Sequence, residues 1–166
     1  PGLDDKILTS WNGLMLKGLA DAYLAFGEEF FLARAIRLAN FLKTELSKGG
    51  QLFRNYKNGI RSINAFLDDY ANLIQGYISL YQATFDEQWL RQADLHLQYV
   101  IAHFSDDESG MFFFTSDEDP ILVRRKMERQ DDVIPASNSQ LALALHSLGL
   151  LLDEKIYRER SVEMLK

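Results

Sequence analysis

The chain has 166 residues, 47% of them apolar, a formal net charge of −6 and no cysteine. That is enough apolar material for one folded core, and the acidic balance, with Arg124-Arg125-Lys126 as its one basic cluster, argues against nucleic acid or an anionic membrane as the partner. Lack of cysteine excludes a disulfide framework, a thiol nucleophile and a cysteine zinc site; no window approaches the roughly 18 to 20 apolar residues of a membrane span, and a cytoplasmic location is expected.

Ser10 reads as the N-cap of a first helix that runs to about Phe26, where Gly27 ends it. This helix carries only Lys17 and Asp21 as charges. A second helix, about 28–46, alternates charge with a stripe of Phe31, Ala35, Leu38, Ala39 and Leu42, spacings that give one buried and one wet face. Gly49-Gly50 stops it. Residues 51–65 read as a β-hairpin, with Asn58-Gly59 supplying the positive φ of a two-residue turn.

A third helix, about 68–84, has no charge between Tyr70 and Phe85, and a fourth, about 87–104, is charged on one face. Residues 105–135 form a long excursion in which 110–115 and 121–123 suggest a second short β-hairpin. A fifth helix, 138–152, has no formal charge, and a sixth is heavily charged from Asp153 onward. The first residues read as a turn and the last fall inside the sixth helix, so the chain is expected to be part of something longer.

The six helices repeat one unit. A shift of 58 carries Phe31-Leu32 onto Trp89-Leu90, a shift of 68 carries Trp89 onto Tyr157, and the same shifts place Asn12, Tyr70 and Asn138 at one equivalent position. Self-similarity at a long period marks a stack of one supersecondary unit. Helices apolar all round must be enclosed, whereas amphipathic ones lie outside. The expected fold is all-α: three helical hairpins (about 10–47, 67–104 and 137–166) forming part of an (α/α)6 barrel, with β-hairpin insertions at 51–65 and 105–135. A tetratricopeptide array, with its repeat of about 34 residues, fits less well.

Function is then expected where the starts of helices one, three and five meet. Asp68-Asp69-Tyr70 is the densest polar cluster there. One acid suffices to cap a helix, so Asp68 has a capping role open to it, and Asp69 is the candidate acid or nucleophile; paired carboxylates are what glycoside chemistry uses. Asp131, ahead of Pro135 and Asn138, is the second catalytic candidate. Trp11, Asn12, Asp68, Tyr70 and Asn138 would shape a substrate pocket, with Phe53, Tyr56 and Phe66 around its opening, although aromatic stripes also build cores. Arg54, Arg124 and Lys126 could hold an anionic group. Histidine offers no metal motif, and neither a nucleophile elbow nor a phosphate-cradling loop is present, so neither metal nor cofactor is expected.

The stretch Asp4-Asp5-Lys6-Ile7-Leu8-Thr9-Ser10-Trp11-Asn12-Gly13-Leu14-Met15 resembles a signature of the YyaL-like proteins, which include the spermatogenesis-associated thioredoxin-like proteins. Phe66-Leu67-Asp68-Asp69-Tyr70-Ala71 and the run Lys126…Asp131…Pro135…Asn138-Ser139 carry the same resemblance. It departs from the pattern at Ala136-Ser137, where Ser-Gly is usual, and at Asp132, where glycine is usual. The resemblance implies a six-hairpin α/α barrel following a thioredoxin-like domain that this chain lacks, and, by fold analogy, a carbohydrate-related activity. The epimerases of that fold use histidine as acid and base, and no histidine here falls on the expected rim. The leading expectation is thus part of a sugar-active or sugar-binding barrel with a carbohydrate ligand. The alternative is a non-catalytic scaffold that positions the thioredoxin-like domain. Either way, three hairpins leave open apolar flanks, and self-association is expected.

Overall fold

A computed structural model describes residues 5–120 and 125–165. The order of elements is β1 (Ile7–Leu8), α1 (Thr9–Phe26), α2 (Glu29–Glu45), β2 (Ser47–Lys48), β3 (Gln51–Lys57), β4 (Ile60–Asn64), α3 (Leu67–Thr84), α4 (Glu87–Phe104), α5 (Ser137–Leu151) and α6 (Lys155–Glu163). Among the described residues no helix is long and apolar enough to cross a membrane.

Helix α3 lies between α1 and α5, with α2, α4 and α6 packed outside their partners. The charge pattern explains this layering. Between its acidic first turn and its C-terminus α3 bears no charge, and it buries Leu67, Leu73, Ile74, Tyr77, Ile78 and Leu80 on all sides. By contrast, α4 buries one stripe, Trp89, Leu90, Ala93, His96, Leu97, Val100 and Phe104, and α2 only Ala35, Ala39 and Leu42. The expectation that every charge-free helix is enclosed holds for α3 alone. Helix α1 leaves Trp11, Met15, Leu24 and Phe26 exposed, and α5 leaves Leu143 and Leu150 exposed.

A left-handed residue follows each inner helix: Gly27 (φ 70°) and Phe85 (φ 54°) directly after α1 and α3, and Asp153 (φ 56°) one residue beyond the cap of α5. The shifts of 58 and 68 carry one onto the next, so the repeat read from side chains is also a repeat of backbone conformation. Only Gly27 takes this region without steric cost.

Helices α1 and α3 meet at two glycines. A Cβ on Gly13 would lie 2.7 Å from the backbone of Asn72 and Leu73, and one on Gly76 would lie 2.9 Å from the Gly13 carbonyl oxygen. Glycine at these positions lets the two backbones touch, which fixes how α1 is aligned on α3.

The first insertion is a small antiparallel sheet. β3 pairs with β1, β2 and β4, and Lys57 faces Ile60 across the Asn58-Gly59 turn, where both φ values are positive (52° and 80°). That is the primed turn which matches strand twist. The sheet also recruits Ile7 and Leu8, which the sequence reading left without a strand. The second insertion differs from the expected β-hairpin. Over the described part of 105–135 a single bridge, Ser105 to Phe112, is the only strand pairing, and the expected strand at 121–123, with Arg124, lies outside the described residues. This segment is held by the hydrogen bonds Leu67 N–H to Phe114 O (3.0 Å) and Phe114 N–H to Lys126 O (2.7 Å).

Candidate functional site

The first turns of α1, α3 and α5 converge at one end of the molecule, and each has free N–H groups that need acceptors. The sequence assigned these to Ser10 and Asp68. Neither does the work. The residues flanking α1 and α3 are Leu8 and Phe66, and one carboxylate of the first turn of α3, Asp69, supplies acceptors at both starts.

Asp69 is the hub. Its Oδ1 accepts from Ser10 N (2.8 Å), at the start of α1, while its Oδ2 accepts from Phe66 N (3.0 Å), ahead of α3. Arg54, from β3, donates to Asp69 Oδ2 (2.9 Å) and to Asp68 Oδ1 (3.2 Å), with its guanidinium 4.6 Å above the Phe66 ring. One carboxylate thus ties two helices and the sheet together. Asp69 is fully buried. Burial, and then the charge of Asp68, push its carboxyl up to about 7, against the pull of Arg54 and the two backbone donors.

At α5 the same task falls to two acids of the preceding loop. Glu128 Oε2 accepts from Ser137 N (3.0 Å) and Asp131 Oδ1 from Ala136 N (2.8 Å). The bond to Ala136 N–H, with help from Ser139, holds Asp131 below the usual carboxylate range. Among the described residues, no cation pairs with either acid.

Between these starts lies a cleft of about 140 Å³ lined by Ser10, Trp11, Leu14, Asp68, Ala71, Asn72, Glu128, Ile134, Pro135, Ser137 and Gln140. Trp11 stands at it with 67% of its surface exposed. Asp68 is pushed above its ordinary range by burial, with Glu128 adding to the push and Arg54 opposing it. Ser137 is 2% exposed, and its hydroxyl has no hydrogen-bond partner. Asp68 and Glu128 each keep one carboxylate oxygen to which no side chain donates among the described residues. The arrangement offers a flat aromatic face, two carboxylates and a buried hydroxyl around a space for a small polar ring.

Several expectations are corrected here. Asp69 and Asp131 do not face a shared cleft: Asp69 is enclosed by its donors, and Asp131 sits exposed in the loop, its Oδ1 bound at the start of α5. Tyr70 is not a rim residue. It is core, stacked on Tyr99 (5.5 Å), edge-on to Phe104, its oxygen accepting from Leu52 N (2.8 Å). Asn138 is also buried; its side chain accepts from Phe112 N and donates to the carbonyls of Phe112 and Glu128, each at 2.9 Å. Tyr70 and Asn138, equivalent in the repeat, therefore each pin the insertion that precedes their helix. Asn12 donates to Leu8 O (2.8 Å), closing its own helix start. Arg54 is committed to the two aspartates. Lys126 borders a different hollow of about 990 Å³ with Phe113, Arg125 and Met127. Phe53 carries Arg61 on its face, and Tyr56 packs edge-on against Phe41. Of the aromatic ring expected around the opening, only Trp11 lines the cleft.

Glu128, Asn72 and Gln140, and Ser137 of the motif that opens α5, line the cleft without being among the site residues expected from the sequence. The signal for Glu128 was weak: it sits in the charged loop where Asp131 lies nearer Pro135. Histidine stays away from the cleft. His96 is buried, its Nδ1 2.8 Å from Gly50 O, and burial lowers it to about 4, so it is neutral. His146 borders an apolar hollow with Leu143 and Met164. Among the described residues no group of three or more histidines or acids is placed to hold a metal ion.

No protein-family model matches the chain. It is 33% identical over 169 residues to an uncharacterised protein of Caenorhabditis elegans, covering 97% of this chain and 23% of that protein. It is likewise 33% identical over 175 residues to spermatogenesis-associated protein 20 of Rattus norvegicus, covering 98% of this chain and 22% of that protein. The chain spans about a fifth of the length of these curated relatives. Among solved structures, a sugar epimerase from a ruminal bacterium matches with a TM-score of 0.79 at 15% identity, over 98% of this chain and 44% of that one. An inactive α-1,6-mannanase of Salegentibacter, in which two consecutive aspartates are replaced by asparagine, matches with a TM-score of 0.75 at 13% identity, over 95% of this chain and 46% of that one; it was solved with α-1,6-mannotriose. At such identities the likeness is one of fold. The chain is therefore similar along nearly its whole length to a segment of spermatogenesis-associated protein 20, and it has the fold of part of the (α/α)6 barrels found in sugar epimerases and mannanases.

Proposed function

We propose that this chain forms part of a sugar-binding α/α barrel and that the cleft at the start of its inner helices is a subsite for one sugar ring. The observation that carries the reading is the convergence of exposed Trp11 with Asp68 and Glu128 on one small cleft. An indole face suits the apolar face of a pyranose, and carboxylate oxygens accept from its hydroxyls. At about 140 Å³ the cleft is well below the roughly 300–1,000 Å³ of pockets that enclose drug-sized ligands, so it takes one ring and no more. Similar folds in an epimerase and a mannanase support the ligand class. The mannanase whose two consecutive aspartates were replaced is inactive, and Asp68-Asp69 is a consecutive pair at the start of an inner helix. Here Asp68 is the member that opens on the cleft, and Asp69 is the one that positions it.

Calorimetric titration of the full-length protein with mannose and α-1,6-mannotriose tests this. Saturable binding that Trp11→Ala weakens about tenfold or more is the expected result, given roughly 1–3 kcal/mol for a stacked ring by analogy with base stacking. Binding indifferent to Trp11 would move the site elsewhere.

The exposed apolar side chains of α1 (Met15, Leu24, Phe26) and of α5 and α6 (Leu150, Ile156, Val162) favour association along the two outer edges of the stack. The isolated chain is expected to sediment as a species larger than a monomer; a monomer at high concentration would contradict this.

A further inference from the structure

The charges around the cleft carry the sugar reading one step further. Among the described residues its lining includes two acids, Asp68 and Glu128, and neither lysine nor arginine. Arg54 is already shared between Asp68 and Asp69 and sits over the Phe66 ring. Lys126 borders a different hollow, and Arg124 lies outside the described residues. An anionic ligand of the kind Arg54, Arg124 and Lys126 suggest in the sequence would thus meet two carboxylates in the described lining of the cleft.

A positive ligand group would meet three acceptors. Among the described residues no side chain donates to Asp68 Oδ2 or to Glu128 Oε1, and the Ser137 hydroxyl is buried with no partner. A buried hydroxyl left unpaired is unfavourable unless something binds it, and it points to a ligand independently of the two acids. Both acids line the same small cleft, so their negative charges repel one another. Charge placed between them relieves that repulsion. A two-carboxylate set is too small for a divalent cation, and no third acid or histidine joins it among the described residues. The exposed face of Trp11 suits a sugar ring and also attracts a cation.

We propose, on the reading that the cleft is a sugar subsite, that it selects a sugar bearing a free protonated amine, a hexosamine, over neutral and anionic sugars. The ammonium lies between Asp68 and Glu128 and donates to the Ser137 hydroxyl, which in turn donates to a ring or hydroxyl oxygen. The ring packs on Trp11.

Titration of the full-length protein with mannosamine, mannose and mannuronate, at a pH where the amine is protonated, tests the selection. The expected order is mannosamine tightest, by about tenfold or more over mannose, and mannuronate weakest, because a charge-assisted hydrogen bond is roughly twice as strong as a neutral one. Glu128→Gln is expected to bring the ratio of mannosamine to mannose affinity close to one. Raising the salt concentration on the unmodified protein is expected to narrow the same ratio, which keeps the test alive should the variant fold poorly. Mannose binding as tightly as mannosamine would overturn the selection and leave the sugar subsite standing. An amine preference untouched by both Glu128→Gln and salt would also overturn it. Binding of none of the three would overturn the sugar subsite itself, and this inference with it.

Discussion

The starts of α3 and α5 solve one physical problem in two ways. At α3 the acceptor is Asp69, fully buried, part of the helix it caps and clamped by Arg54. At α5 the acceptors are Glu128 and Asp131, both from a loop and without a cation partner among the described residues. The first also holds α1 and is tied to the sheet by Arg54; the second is closed by carboxylates of the preceding loop. The cleft takes one carboxylate from each side, Asp68 from the start of α3 and Glu128 from the loop before α5.

The largest expected difference between the two starts is in stability. Asp69→Ala strips acceptors from Ser10 N and Phe66 N and leaves Arg54 facing Asp68 alone, so a loss of about 3 kcal/mol or more is expected in denaturant unfolding. Asp131→Ala, at an exposed carboxylate, is expected to leave the unfolding midpoint nearly unchanged. Equal losses would break the contrast.

A second test probes the α1–α3 contact on the Asp69 side. Gly13→Ala would drive a methyl group into the backbone of Asn72 and Leu73, and about 1–3 kcal/mol of destabilisation is expected. Gly18→Ala, in the same helix with open space around it, is expected to stabilise by about 0.5–1 kcal/mol. If both substitutions stabilise, α1 does not pack this closely on α3.

The smallest effect is in pH dependence, and its sign differs between the two starts. Asp69 has its folded value raised, so the folded state holds a proton that the unfolded chain has released. Its contribution is therefore greatest below about 4 and is lost as pH rises through about 7. Asp131 has its value lowered, so its contribution is present above the ordinary carboxylate value and is lost as pH falls through the folded one. Amide-exchange protection factors in the first turn of α3 are thus expected to rise on acidification, and those at the start of α5 to fall. Parallel changes would contradict the assignment.

Much of this organisation was legible in the sequence. Alternating charge-free and charged runs gave the helices, Asn58-Gly59 gave the turn of the first insertion, and the shifts of 58 and 68 gave the common end at which the first turns meet. The roles within those turns were not legible. Whether Asp68 or Asp69 caps depends on where each side chain points relative to α1, and that is set by the Gly13–Gly76 contact, across more than sixty residues of sequence. Local capping rules look for an acceptor beside its own helix and so passed over Asp69 as the acceptor for Ser10. Likewise Trp11 and Tyr70 both sit in a first turn and differ in what packs over them. Tyr99 and Phe104 of α4 enclose Tyr70, while Trp11 has no comparable cover. The second insertion lacked a strand pattern strong enough to fix its course, and its described part is a loop pinned by Asn138 and by the hydrogen bond of Leu67 to Phe114.

The account turns on the division of labour between two neighbouring acids, and a pair of asparagine variants in the full-length protein tests it most directly. Unfolding in denaturant and titration with mannosamine and mannose would be measured on Asp68→Asn and Asp69→Asn side by side. The account predicts that Asp68→Asn keeps near-normal stability and loses most of its affinity, whereas Asp69→Asn is the clearly destabilised protein. The reverse pattern, with Asp69→Asn stable but unable to bind and Asp68→Asn destabilised, would make Asp69 the ligand-facing acid and contradict the account.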